Sequence, residues 1–211
     1  MRRCWRPVAM VLAGGLLLAG CATRDPRPEG AWLAERQAWF AARPDWSVNG
    51  RLGLSDGERG GSLAMNWQAR GEHHRISLRT VAGGKQWLLE MSPGHAVLTG
   101  SDIDVLEGPD PDLLVERAVG WPIPVRWMSS WLRGLPAPAG AQVEFADDGA
   151  MQSLQFQRWD LDYQRWRLDS DHGVLLPARV EARSPPYRVR ASLAGWQFSP
   201  AIGHTAETEP L

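Results

Sequence analysis

Trp46-Ser47-Val48-Asn49-Gly50-Arg51-Leu52-Gly53-Leu54, followed by Leu63-Ala64-Met65-Asn66-Trp67-Gln68, is the stretch that decides the fold. Trp46, Val48, Leu52 and Leu54 recur at every second position, with Gly50 in the same phase. Leu63, Met65 and Trp67 do the same. A period of two places such residues on one face of a strand. Asp56-Gly57 and Gly60-Gly61 lie between the two runs and mark a hairpin loop. Two strands with one apolar face each therefore pair antiparallel.

The pattern continues downstream. Arg70-Gly71 turns the chain, and Ile76 and Leu78 alternate before a loop at Val81-Ala82-Gly83-Gly84. Trp87, Leu89 and Met91 form the next strand, Pro93-Gly94 turns again, and Val97, Ile103 and Val105 continue in short pieces. This is an antiparallel meander. Two helical signals interrupt it. Asp110-Pro111 reads as N-cap and first helical position, opening a short helix that ends at Gly120. After Trp121-Pro122-Ile123-Pro124, a second helix carries Trp127, Met128, Trp131 and Leu132 to Arg133, with Gly134 and Pro136 behind it. Strands resume with Val143 and Phe145, Leu154 and Phe156, and Trp159 to Tyr163. Trp166 and Leu168 form another strand, followed by Val180 and Ala182 and a last run from Tyr187 to Phe198. Upstream, Trp32, Leu33, Arg36, Trp39 and Phe40 give an amphipathic helix from Ala31 to Arg43, stopped by Pro44. The class is mainly β with added helices (α+β).

The N-terminus has a different logic. Arg2, Arg3 and Arg6 precede an apolar run from Val8 to Ala19, which stops at Ala19-Gly20-Cys21. The run is too short for a membrane span, which needs about 20 residues. A basic start, a short apolar run and small residues before a cysteine read as a lipoprotein signal peptide, with Cys21 as the lipid-attachment site. Residues 1–20 are then removed, and 21–30, with Pro26 and Pro28, form an extended tether. Residues 31–198 form the domain, and 199–211 a mobile tail without periodicity.

Composition narrows the function. Loss of Arg2, Arg3 and Arg6 leaves 20 of 23 basic residues against 24 acidic ones, a net charge of −4. No run of like charge suggests a nucleic-acid surface. Cys21 is the only cysteine of the mature chain, so no intramolecular disulfide forms. The twelve tryptophans are many for this length, and large amphipathic rings suit a cavity wall, an interface or a core. There is no Gly-x-Ser-x-Gly elbow, His-Glu-x-x-His, phosphate loop or dinucleotide fingerprint. His73 and His74 are adjacent, so on a strand they point to opposite faces. The aspartates at 102, 104, 110 and 112 do not match an EF-hand. The expectation is a protein that is not an enzyme, with no metal and no cofactor.

The block Pro122-Ile123-Pro124 to Trp131-Leu132-Arg133-Gly134-Leu135-Pro136 resembles that of the LolB family of outer-membrane lipoprotein receptors. Gly50-Arg51, Trp67-Gln68, Trp159 to Tyr163, Leu176-Pro177 and Trp196 fall in the family's order. The resemblance implies an incomplete antiparallel β-barrel, a half-barrel with helices covering its concave face. It implies a monomer, anchored in the outer membrane and facing the periplasm. It would receive lipoproteins from the soluble carrier LolA and insert them into outer-membrane lipid. It also implies a protruding membrane-insertion loop at Val81, Ala82, Gly83 and Gly84, but the bulky leucine of the family's loop is absent here. Ala22, after the cysteine, is consistent with outer-membrane sorting in that family.

Exposing acyl chains to water costs about 0.8 kcal/mol per methylene, so a receptor needs a dry apolar surface rather than a covalent site. The expected lining is Leu52, Leu54, Leu63, Met65, Trp67, Ile76, Leu78, Trp87, Leu89, Trp127 and Trp131. The alternative is a structural or assembly lipoprotein that holds a protein partner on a tryptophan-rich surface. A cavity beneath the Trp127 to Leu132 helix favours the first reading, and a filled interior favours the second.

Overall fold

The computed structural model describes residues 31–137 and 139–199. The signal segment, Cys21, the tether and the tail beyond Ser199 lie outside the described residues.

One antiparallel sheet of 11 strands organises the chain. Strand β1 (Asp45–Ser55) lies at its centre and pairs on one side with β2 (Gly60–Arg70). From there β3 (His73–Thr80), β4 (Gln86–Ser92), β5 (His95–Gly100) and β6 (Leu106–Gly108) follow in chain order to one edge. On its other side β1 pairs with the last strand, β11 (Tyr187–Ser199). Beyond it come β10 (Val174–Ser184), β9 (Trp159–Asp169), β8 (Met151–Phe156) and β7 (Gln142–Phe145). The edge strands β6 and β7 do not pair with each other, so the sheet is open. Three helices accompany it among the described residues: α1 (Ala31–Ala41), and α2 (Pro111–Val119) and α3 (Val125–Leu132) in the link between the two edges.

The period-two reading places each strand's apolar face. Trp46, Val48 and Leu52 of β1 are buried, as are Met65 and Trp67 of β2, Ile76 of β3 and Leu89 of β4. Gly50 occupies an apolar phase because no side chain fits there: a Cβ would lie 2.9 Å from the Ser192 carbonyl oxygen. Three expectations are corrected. Trp166 and Leu168 belong to the same strand as Trp159, because β9 runs unbroken through them. Ile103 and Val105 lie in the connection between β5 and β6 rather than in strands. Helix α1 ends at Ala41, two residues short of Arg43.

Cap chemistry sets α2. The Asp110 carboxylate accepts from the Asp112 backbone N–H at 3.0 Å, and Pro111 follows as the first helical residue. Gly120 closes the helix at φ 75°, its N–H donating to the Glu116 carbonyl at 2.7 Å.

A buried cation locks α1 and α3 together. Arg36 sits between Trp32 and Phe40 on the inward side of α1 and is 4% exposed. Its guanidinium donates to the carbonyls of Arg133, Gly134 and Leu175, and lies 4.8–5.0 Å from the ring centres of Trp32, Phe40 and Trp166. Those first two carbonyls end α3, where the helix dipole is negative. Helix end and aromatic faces together offset a charge that has no hydrogen-bonded carboxylate among the described residues. Burial brings this arginine down to about 9, so it stays protonated at neutral pH.

Aromatic rings close one end of the sheet. Trp46 lies 5.9 Å from Trp67 and 5.8 Å from Trp196, and Trp196 stacks on Phe198 at 5.7 Å. Trp39 of α1 meets Phe198 edge-on at 4.8 Å.

Candidate functional site

The nine strand residues expected to line a cavity do line one: Leu52, Leu54, Leu63, Met65, Trp67, Ile76, Leu78, Trp87 and Leu89. Leu98 of β5 and Val189 of β11 join them. Val115, Ala118 and Val119 of α2, Ile123, and Val125 and Met128 of α3 form the opposite wall. The cavity measures about 250 Å³.

Its lining is uniformly apolar. The Trp67 indole N–H donates to His74 Nδ1 at 2.9 Å. Burial, with Arg133 and His73 pushing the same way, brings His74 down to about 4. A neutral imidazole therefore accepts from Trp67 at ordinary pH, and the indole N–H needs no water. Such a lining offers a solute dispersion and dehydration of carbon surface, with no anchoring hydrogen bond.

Trp127 and Trp131 do not line this cavity, which corrects the expectation for them. Helix α3 is apolar on two sides. Val125 and Leu132 pack toward β1 to β5, while Trp131 packs among Met151, Leu154, Trp159 and Tyr163. Trp127 meets Phe156 at 6.3 Å. The Trp131 indole N–H donates to the Ala137 carbonyl at 2.8 Å, and its own carbonyl accepts from the Tyr163 hydroxyl at 2.9 Å. Sequence reasoning gave no place in the wall to Val115, Ala118, Val119, Val125 and Met128. Their three- and four-residue spacing was the available signal.

The loop after β3 is built by its own hydrogen bonds. The Thr80 N–H donates to the Lys85 carbonyl at 2.9 Å, and the Val81 N–H to the Ser62 carbonyl at 3.2 Å. Gly83 and Gly84 take φ of 103° and 70°, values that favour glycine. Val81 and Ala82 point into solvent, Val81 being 54% exposed. Lys85 pairs with Asp102 at 2.6 Å.

Among the described residues, no group of three or more His, Cys, Asp or Glu side chains is placed to hold a metal ion.

The family model "Outer membrane lipoprotein LolB" matches residues 44–196. The outer-membrane lipoprotein LolB of Xanthomonas axonopodis pv. citri (strain 306) is 33% identical over 215 residues, covering 92% of this chain and 99% of that one. That of Xanthomonas campestris pv. campestris (strain B100) is 35% identical over 171 residues, 79% of this chain and 78% of that one. That of Alkalilimnicola ehrlichii is 33% identical over 201 residues, 90% and 98% of the two chains.

Proposed function

The chain belongs to the LolB family of outer-membrane lipoproteins, and with it to lipoprotein localisation; from that premise we propose that it takes acylated lipoproteins from the carrier LolA into its apolar cavity and delivers them to the outer membrane. Cys21 carries the lipid that holds it there, facing the periplasm. The sheet acts as a half-barrel, α2 and α3 are the cover of its concave face, and one protomer suffices.

The observation that carries this reading is the wall of the cavity: seventeen residues, all apolar, from both the sheet and the helices. An interior built only to hold a protein partner on an outer surface has no need of such a space. A carrier also needs no nucleotide if the acceptor holds the lipid more tightly than the donor.

Size adds a mechanistic step. Ligand pockets run to about 300–1,000 Å³, and a dry cavity of about 150 Å³ accommodates benzene. The 250 Å³ here admits part of an acyl chain. Full entry of cargo therefore requires α2 and α3 to move off the sheet. The ladder hydrogen bonds run from strand to strand, so the sheet keeps them, while α3 gives up the bond from the Tyr163 hydroxyl to the Trp131 carbonyl.

The test is transfer of a radiolabelled lipoprotein from purified carrier to the purified, lipidated protein in vesicles. Cargo should pass to the protein and then to the bilayer. Folded protein that takes nothing from a loaded carrier would sink the proposal. Changing Val81 and Ala82 together to Asp should leave uptake intact and slow the bilayer step.

A further inference from the structure

The strand register gathers five connections at one end of the sheet. Ser55 pairs with both Gly60 and Arg188, Leu63 with Thr80, Trp87 with Gly100, Phe156 with Trp159 and Asp160 with Arg183. The links 56–59, 81–85, 101–105, 157–158 and 185–186 therefore share that end. The opposite end is the one plugged by Trp46, Trp67, Trp196 and Phe198.

Exposed apolar side chains collect at the unplugged end. Val81 and Val105, 54% and 67% exposed, sit in two of those links, which the Lys85–Asp102 ion pair at 2.6 Å ties together. Val119, the last residue of α2, is 49% exposed and also lines the cavity. The apolar lining thus runs to the surface at this point. Trp121, just beyond it, packs at 5.2 Å on Tyr187, which opens β11 at the same end. The other two large exposed apolar residues among those described lie elsewhere, Leu113 in the first turn of α2 and Leu168 toward the plugged end of β9.

We propose that this end is a bilayer-contact rim, in which Val105 and the Val119–Trp121 corner enter the lipid interface beside the Val81 loop. The inference rests on the delivery role proposed above and extends it from one loop to three segments. Three arguments favour a phospholipid surface as the occupant. The lipidated Cys21 precedes Ala31 by ten residues, a reach of at most about 36 Å, so a bilayer is always near. Tryptophan and tyrosine favour the membrane–water interface. The rim links carry no excess of positive charge: Arg59 pairs with Asp56 at 3.5 Å and Lys85 with Asp102, and Glu58 and Asp104 outnumber Arg158, which leaves apolar contact rather than attraction to anionic lipid to dominate. Cargo leaving past Val119 would pass from cavity wall to bilayer without crossing water.

After signal removal the chain has no thiol besides Cys21, so an introduced cysteine labels uniquely. Val81→Cys, Val105→Cys, Val119→Cys and the control Leu168→Cys are each tagged with an environment-sensitive fluorophore. The full lipidated proteins go into phosphatidylcholine vesicles with and without a headgroup-level nitroxide lipid. The rim predicts quenching at 81, 105 and 119, equal in low and high salt, and none at 168. Quenching at 81 alone overturns the rim and leaves the loop standing. Quenching at no position, or equally at 168, overturns it too. Cargo transfer measured on the same proteins separates either failure from failure of the delivery role.

Discussion

The two halves of the sheet are built from the same kind of strand and end as opposites. From β1 to β6 the residues that line the cavity are Leu, Ile and Met with two tryptophans, and a space of about 250 Å³ remains beneath α2 and α3. From β7 to β11 the inward face meets Trp32 of α1 and Trp131 of α3, with Trp159, Tyr163 and Trp166 rising from the sheet. The space between α3 and β9 to β11 is about 30 Å³. Largely aliphatic walls leave room, whereas rings that interlock from helix and sheet do not. Tight packing and open space thus fall in different halves, with α3 shared between them.

The largest expected effect separates the halves by stability. Leu154 is fully buried among rings, so Leu154→Ala should cost about 3–5 kcal/mol, transfer and cavity terms together. Leu63 is partly buried and borders the existing space, so Leu63→Ala should cost about 1 kcal/mol. Denaturant unfolding of both variants measures the gap. Equal losses would mean that the first half is packed as tightly as the second, and the comparison would fall.

Next comes the clamp that joins the halves. Arg36→Met keeps the length and the ring contacts but strips donors from the ends of α3 and from β10. The loss should be about 2–4 kcal/mol, from carbonyls left buried without partners. Arg36→Lys should not rescue it, because one ammonium cannot span the same carbonyls and stack as a plane. Hydrogen exchange should quicken first in α1 and α3. A loss confined to α1 would show that α3 stands without the clamp.

The legibility of this molecule follows the same division. Period-two residues placed the strands, and the nine strand positions of the cavity wall followed from them, because alternation fixes a face whatever packs on it. Alternation is silent on whether that face is filled. Trp127 and Trp131 look like wall residues in the sequence, yet they point into the ring-filled half, a choice made by the orientation of α3 across the sheet. Arg36 carried a local signal, a cation at the centre of the stripe Trp32, Arg36, Phe40. Its partners lie 97 to 139 residues away, and no local pattern names them. Val119 and Val105 were legible as apolar residues, but their meeting at one end depends on the register of strands far apart in the chain.

A smaller effect is expected from His74, at the foot of the first half. Its native value of about 4 lies below the ordinary 6.5. Above 6.5 both folded and unfolded chains hold it neutral, and its contribution is complete. As pH falls from 6.5 toward 4, the unfolded chain takes up a proton that the native site refuses, so stability declines across that window. Its partial exposure limits the decline to about 1–2 kcal/mol. Glu181, held down by Arg190, Arg188 and Arg183 against its own desolvation, adds a loss only at more acidic pH. Unfolding followed against pH should therefore flatten between 6.5 and 4 in His74→Gln, with hydrogen exchange in β2 and β3 responding before β8 and β9. An unchanged profile would remove His74 from the account.

The smallest stability change should accompany the largest functional one. Ala118 faces the cavity from α2, and Ala118→Met extends a flexible side chain into space already present. Overpacking costs arise when atoms must be displaced, and here none need be, so stability should shift by less than about 1 kcal/mol. Uptake of cargo or of a fluorescent fatty-acid probe should fall steeply, because the added atoms occupy the volume an acyl chain would fill. The same exchange in the second half, Ala182→Met, has no comparable space to enter and should destabilise instead. If Ala118→Met binds the probe as well as the parent does, the chain enters somewhere other than beneath α2. The contrast between an open half and a packed half would then have to be redrawn around the helices rather than the sheet.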